Sequence, residues 1–175
     1  MNEQIFLRHR SGLRYRECPV PFGSMYLCGD DISLVCAVFS RNTAEVEHIK
    51  INAVRGDTAP IQQGVHFLKE YFARRNAPLP ELDLQGYTER EQRIYAALLT
   101  IPPGSVVSYG GLADMAGIPR GGRFAGNAMA KNRFPVFIPC HRVIKSDGKT
   151  GNYTSGTDIK EFLLAHERRQ WSVPE

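Results

Sequence analysis

No apolar stretch in these 175 residues approaches the length of a membrane span, which argues against a membrane-inserted helix and against a membrane partner. Cysteine is scarce: Cys18, Cys28, Cys36 and Cys140 are the whole set. No C-x-x-C occurs and no two histidines stand at ligand spacing, so no metal site is expected. A zinc site from Cys18, Cys28 and a distant histidine is disfavoured, and Cys28 and Cys36 read as small buried hydrophobes. No glycine-rich loop follows a strand, so neither a nucleotide cofactor nor S-adenosylmethionine is expected. The stretch 1–12 is polar and charged, unlike a secretory signal. The expected compartment is therefore reducing and intracellular, cytoplasmic or, in a eukaryote, nuclear, with free thiols.

What is present is an ordinary hydrophobic share, 42%, and length for one sizeable domain or two small ones. The net charge of +4 is unevenly placed. Residues 1–86 hold ten Lys/Arg and ten Asp/Glu; residues 87–175 hold twelve and eight. From Ile118 to Lys145 there are Arg120, Arg123, Lys131, Arg133, Arg142 and Lys145, with no acid. Such a run suits a polyanion such as nucleic acid, and equally a solvated face.

The first half reads as strands followed by a helix. Ile32 to Phe39 is a buried-strand run, and Gly29-Asp30-Asp31 predicts a hairpin with Ser24 to Cys28. Ile61, Val65, Leu68 and Phe72 recur at helical spacing. Asn76-Ala-Pro-Leu-Pro80 breaks the chain, Leu82 to Gly86 reads as a connector, and a domain boundary is expected near Gly86.

The second half reads as short helices. Thr88 to Glu91 is a capping box, and Pro102-Pro103-Gly104 ends the helix it starts. Ser108 caps a short helix through Met115, with Leu112 and Met115 as apolar contacts. A second helix runs from about Arg120 to Ala130 after the turn Gly117-Ile-Pro119. Together they make a helix-turn-helix signature. Gly121, Gly122, Ala125, Gly126, Ala128 and Ala130 crowd the second helix, at about 1 kcal/mol for each glycine. Close approach to a nucleic-acid groove explains them, and so does tight helix packing.

Pro139-Cys140-His141-Arg142-Val143 places a nucleophile beside a base. Alone the pair is weak, since neighbours on a strand face opposite ways. Its flanks add the specificity. Val107-Ser-Tyr-Gly-Gly-Leu-Ala113, Gly117-Ile-Pro119, Arg123, Gly126-Asn-Ala128 and Asn132 precede it. Ile138 to Ile144, Gly151-Asn-Tyr153, Lys160, Leu163-Leu164 and Glu167 complete the set. These residues, spread over about 87–168, resemble the O6-alkylguanine-DNA alkyltransferases in order and spacing. Some positions depart from the family's usual pattern: Arg133 stands where proline is usual, Phe124-Ala125 where residues are smaller or β-branched, and Ser155 where glycine is common.

The resemblance implies an α/β (α+β) fold. An N-terminal ribonuclease-H-like domain, 1–86, would hold a small antiparallel sheet with a helix. A mostly helical, winged-helix-like domain, 87–175, would hold the helix-turn-helix and the active site. It implies single-turnover transfer of an alkyl group from guanine oxygen 6, with O4-alkylthymine a further candidate, to Cys140. His141 would take the thiol proton through a water, and Glu167 would orient His141. Asn132 would hold the turn before the cysteine loop, where an αL helix stop is the plain reading. Tyr109 would press the target phosphate and bond guanine nitrogen 3, and Arg123 would fill the space of the flipped base. Gly126 would sit at the DNA surface. The carbonyls of Cys140 and Val143 would accept from the exocyclic amine, the Thr154 amide would donate to oxygen 6, and Tyr153 would wall the pocket. The partner would be double-stranded DNA, bound through its minor groove by a monomer, with no cofactor. A helix-turn-helix regulator that binds DNA and leaves Cys140 unmodified is the alternative from another class. A Cys-His hydrolase is the third, and it leaves the basic helix unexplained.

Overall fold

A largely exposed strand, β1 (Arg14–Val20), lies between two neighbours in a four-stranded sheet of order β3-β2-β1-β4. β2 (Gly23–Gly29) pairs antiparallel with β1 and with β3 (Leu34–Phe39), so these three form a meander. The short β4 (Val54–Arg55) adds to β1 in parallel. The computed structural model describes Leu7 and residues 10–169. The chain divides into two compact units that meet in sequence at Gly86 and Tyr87.

The expected hairpin is present, with Asp30 Oδ1 accepting from the amides of Ile32 and Ser33 at 2.9 Å each. Its second strand begins later than the apolar run suggests. Ile32 belongs to the turn and is 79% exposed. Cys28 and Cys36 lie directly opposite each other and are buried in a cluster with Val46 and Ile49, the part expected of them. Val46 and Ile49 come from α1 (Thr43–Asn52), a helix the sequence reading missed. α2 (Ala59–Phe72) packs on the sheet through Ile61, Leu68 and Tyr71; Thr58 caps it by accepting from the Ile61 amide at 3.4 Å. Leu82, expected in a connector, forms an isolated bridge to Leu34. Asp83 pairs with Arg10.

The second unit begins with α3 (Glu89–Leu99). The capping box is complete: Glu91 Oε2 accepts from the Thr88 amide at 2.8 Å, and Thr88 Oγ1 accepts from the Glu91 amide at 3.3 Å. α4 (Tyr109–Met115) starts where Ser108 Oγ accepts from the Gly111 amide at 3.0 Å. Leu112 is buried under it, but Met115, expected as a second contact, is 51% exposed. α5 (Gly122–Ala130) follows, two residues later than expected, and α6 (Thr157–Glu167) closes the unit. β5 (Val107–Ser108) and β6 (Val143–Ile144) pair in parallel. The fold class is thus the expected one, a small antiparallel sheet with helices followed by a mostly helical part. Among the described residues no helix is long and apolar enough to cross a membrane.

Much of the small-residue crowding in α5 serves internal packing. A Cβ on Gly121 would stand 2.6 Å from both the Ile118 side chain and its carbonyl oxygen, and 3.1 Å from Ala113 Cβ. Ala125 and Ala128 are buried. Gly121→Ala should therefore lower stability by about 1–3 kcal/mol, read from a urea melt, and Gly121 is also the N-cap of α5, where glycine is preferred to alanine.

Candidate active site

The parallel pair of β5 and β6 brings the start of α4 beside the segment that follows Cys140. Cys140–Arg142 form a single 3-10 turn after Pro139. One side chain closes the loop between α5 and this turn. Asn132 Nδ2 donates to the Ile138 carbonyl at 2.9 Å and to Cys140 Sγ at 3.1 Å, while its Oδ1 accepts from the Phe134 amide at 2.9 Å. Asn132 is not one of the positive-φ residues, so it is a bracket rather than the αL stop. Inside the bracket, buried Val136 holds φ +74°, a left-handed conformation that costs a β-branched residue about 1–3 kcal/mol. The Ile138 amide donates to the Phe134 carbonyl at 2.8 Å across that residue and closes the loop around it.

Behind Cys140 lies a buried ionic group. Glu167, the last residue of α6, accepts from His141 Nε2 at 2.7 Å on Oε1. Arg142 donates to both oxygens, Nη2 to Oε1 and Nε to Oε2, each at 2.9 Å. Gly104 adds its amide to Oε2 at 3.1 Å. Gly104 holds φ +81°, and a Cβ there would stand 2.9 Å from the Glu167 carbonyl oxygen, so glycine is required. Arg142 Nη1 continues to the Ile101 carbonyl at 2.6 Å. Burial alone would raise the Glu167 carboxyl; His141 and Arg142 overturn that and hold it far below the usual carboxylate range. Burial lowers His141; Glu167 opposes this, while Arg142 and Lys160 reinforce it. The lowered value favours the neutral imidazole. Its Nε2 carries the proton given to Glu167, and the buried Nδ1 keeps a lone pair.

Cys140 is 6% exposed. Burial pushes its thiol up, against the opposing effects of the Asn132 amide, the Tyr153 hydroxyl and the Lys160 cation. Lys160 is itself buried in α6 and donates to the Val143 carbonyl at 2.6 Å. Its ammonium is also lowered by burial, with Cys140 acting the other way. The Val143 carbonyl, expected to take the guanine amine, thus has one lone pair already used. The Cys140 carbonyl likewise accepts from the Val143 amide.

Tyr109, the first residue of α4, is half-buried and its ring faces Gly126. A Cβ on Gly126 would stand 3.9 Å from the ring, and one on Gly151 would stand 3.5 Å from the hydroxyl. The Tyr153 hydroxyl is buried, and Thr154 is exposed beside it. Arg123 is exposed on α5. The basic run is less available than its composition suggests. Arg142 is engaged by Glu167, and Lys131 pairs with Glu91. Arg133, counted in the basic run, lies over the Tyr87 ring at 4.5 Å and donates its amide and Nε to the Tyr87 hydroxyl. Arg120, Arg123 and Lys145 remain exposed. Arg142 itself was missed as a site residue, and the signal for it was slight: a cation beside the Cys-His pair, with its acid 25 residues away.

Residues 89–169 match the family model described as the 6-O-methylguanine DNA methyltransferase, DNA binding domain. The human methylated-DNA–protein-cysteine methyltransferase is 34% identical over 165 residues, 88% of this chain and 80% of that one. A Mycobacterium tuberculosis OGT solved in complex with DNA superposes with a TM-score of 0.77 at 35% identity, covering 89% of this chain and 92% of that one. The O6-methylguanine-DNA methyltransferase of Pyrococcus kodakaraensis gives 0.64 at 25% identity, covering 89% and 98%. These likenesses extend through both halves of the chain, well beyond the motif around Cys140, and the chain belongs to the methylated-DNA–protein-cysteine methyltransferase family.

Proposed function

We propose that this protein repairs alkylated DNA by direct reversal, moving the alkyl group of O6-alkylguanine onto its own Cys140. The observation that carries the reading is the Cys140 thiol held by Asn132 at 3.1 Å, in the same turn as a neutral His141 anchored on Glu167. The thiol gives its proton to His141 Nδ1 through a water. The thiolate attacks the alkyl carbon, a carbon–sulfur bond forms and the bond to oxygen 6 breaks. The leaving guanine keeps the electron pair and is protonated at nitrogen 3 by the Tyr109 hydroxyl. A thioether is a poor leaving group, so each molecule reacts once. No methyl donor is needed because the DNA supplies the group.

DNA reaches the site through α4 and α5, docked in the minor groove, and the DNA complex of the M. tuberculosis relative supports this partner. Tyr109 and Gly126 face the strand, and Arg123 takes the place of the flipped base. Tyr153 walls the pocket, the Thr154 amide meets oxygen 6, and the remaining lone pairs of the Cys140 and Val143 carbonyls meet the exocyclic amine. The protein acts as a monomer, with residues 87–175 carrying both DNA binding and transfer and residues 1–86 as a separate domain. Its place is the compartment that holds the DNA, the cytoplasm or a nucleus.

Mixing the protein with a methylated duplex should add one methyl mass to the Cys140 peptide, at most once per molecule. An unmodified peptide from a chain that binds the duplex would favour the regulator instead. Arg123→Ala and Tyr109→Phe separate the steps. Each should lower the single-turnover transfer rate by about tenfold or more, a rise of about 1.4 kcal/mol or more in the barrier, while duplex affinity changes much less.

A further inference from the structure

A carboxylate buried as deeply as Glu167 needs a counter-charge. Among the described contacts, His141 touches it through Nε2 and Arg142 through Nε and Nη2. Only one positive charge is needed, and the two candidates differ chemically. Arginine stays charged at any working pH, whereas imidazole carries a proton only on demand. The bidentate geometry gives Arg142 the larger share of the carboxylate, and Ile101 and Gly104 fix both partners from the backbone.

We propose that Arg142 is a positioning residue for the transfer reaction: by supplying the counter-charge to Glu167, it keeps His141 a neutral imidazole able to accept the thiol proton. The inference rests on the reading of His141 as the base for Cys140. Among the described residues, the charged and titratable groups named around the imidazole include Glu167 and Lys160 on α6, with Arg142 and Cys140 in its own turn. The loop at Ile101 and Gly104 presents backbone groups to the pair. Lys160 donates to the Val143 carbonyl. With the guanidinium gone, His141 is the proton-accepting group already in contact with the carboxylate. It would become an imidazolium, which stabilises the acid but has no lone pair left for the thiol proton.

The test uses the full chain with nitrogen-15-labelled histidine, titrated by NMR between pH 5 and 8.5, beside single-turnover transfer from methylated duplex over the same range. In the unaltered protein His141 should stay neutral down to the acid end. In Arg142→Gln it should protonate near neutrality, and the acid limb of the transfer rate should move up by about one pH unit or more. The rate deficit should then be about tenfold larger at pH 6 than at pH 8.5. Arg142→Lys should leave the limb in place, and the double variant Arg142→Gln/Glu167→Gln should return His141 to neutrality. A His141 that stays neutral in Arg142→Gln, or a rate lowered equally at every pH, overturns the proposal. Should the single variant fail to fold, the double variant and Arg142→Lys decide: a protonated His141 in the double variant, or a shifted limb with lysine, overturns it. The titration reads the imidazole without any transfer, so failure here is distinct from an absence of alkyl on Cys140.

Discussion

Cys140→Ala should abolish alkyl transfer completely and leave duplex binding intact. In the proposed reaction the reacting atom is one sulfur, and no other group described near the turn is placed to replace it: His141 is tied to Glu167, and Lys160 to the Val143 carbonyl. The loop should survive the change, because Asn132 keeps its bonds to the Ile138 carbonyl and the Phe134 amide after losing the sulfur. Cys140→Ser sharpens the test. Its hydroxyl preserves the shape and a hydrogen-bond acceptor for Asn132, but it is a far weaker nucleophile than a thiolate. Serine should therefore bind the methylated duplex and carry no added mass. The buried thiol also sets a pH trend in the parent. Because burial raises Cys140, the resting form at neutrality is the thiol, and the transfer rate should climb through the alkaline range. A serine variant that gained the methyl mass, or an alanine variant that still emptied the lesion, would remove Cys140 from the mechanism.

Local signals were readable along the chain, and distant pairings were not. The capping box at Thr88 and Glu91 and the Ser108 cap rest on residues three apart, so four letters suffice to place a helix start. The hairpin after Gly29 likewise carries its turn chemistry in place. β1 gave no such sign. It contains Arg14, Arg16, Glu17 and Pro19, a composition that hides a strand flanked on both sides. α1 was missed although Asn42 and Glu45 stand at capping-box spacing, because its apolar residues do not line one face: Val46 and Ile49 are buried while Ile51 is 79% exposed. The order Cys140-His141 and the acid Glu167 were read through family spacing, and the geometry places the histidine and the acid in contact. The basic run misled for a physical reason. Whether a cation faces water or an internal acid depends on what the fold brings to it, and Glu91, Tyr87 and Glu167 lie 25 to 46 residues from their partners. A charge count over a segment does not contain that pairing.

Glu167→Gln should be the most damaging substitution for stability in the second unit, at about 3–5 kcal/mol. The amide keeps the shape of the carboxylate and one acceptor, so packing is conserved. What it removes is, among the described residues, the one acid bonded to Arg142, leaving a buried guanidinium uncompensated. His141 loses its charged acceptor and the Gly104 amide meets either a neutral oxygen or a repelling NH2. Transfer should fall by about 10²-fold or more, because the imidazole is no longer oriented or made more basic by an anion. Acid should expose the same group in the parent. Glu167 sits below its unfolded value, so its contribution is complete above about pH 4.3 and is lost as pH falls through its folded value. His141 also sits below its unfolded value of about 6.5, so the unfolded chain binds that proton first, and stability starts to decline as pH drops below about 6.5. Urea melts of the whole protein at a series of pH values should therefore show a plateau above neutrality, a shallow loss from His141, then a steeper loss in the carboxylate range. In Glu167→Gln the steeper part should shrink. A variant that melts with the parent and reacts at the parent's rate would show that the buried ionic group neither holds the turn nor serves the sulfur.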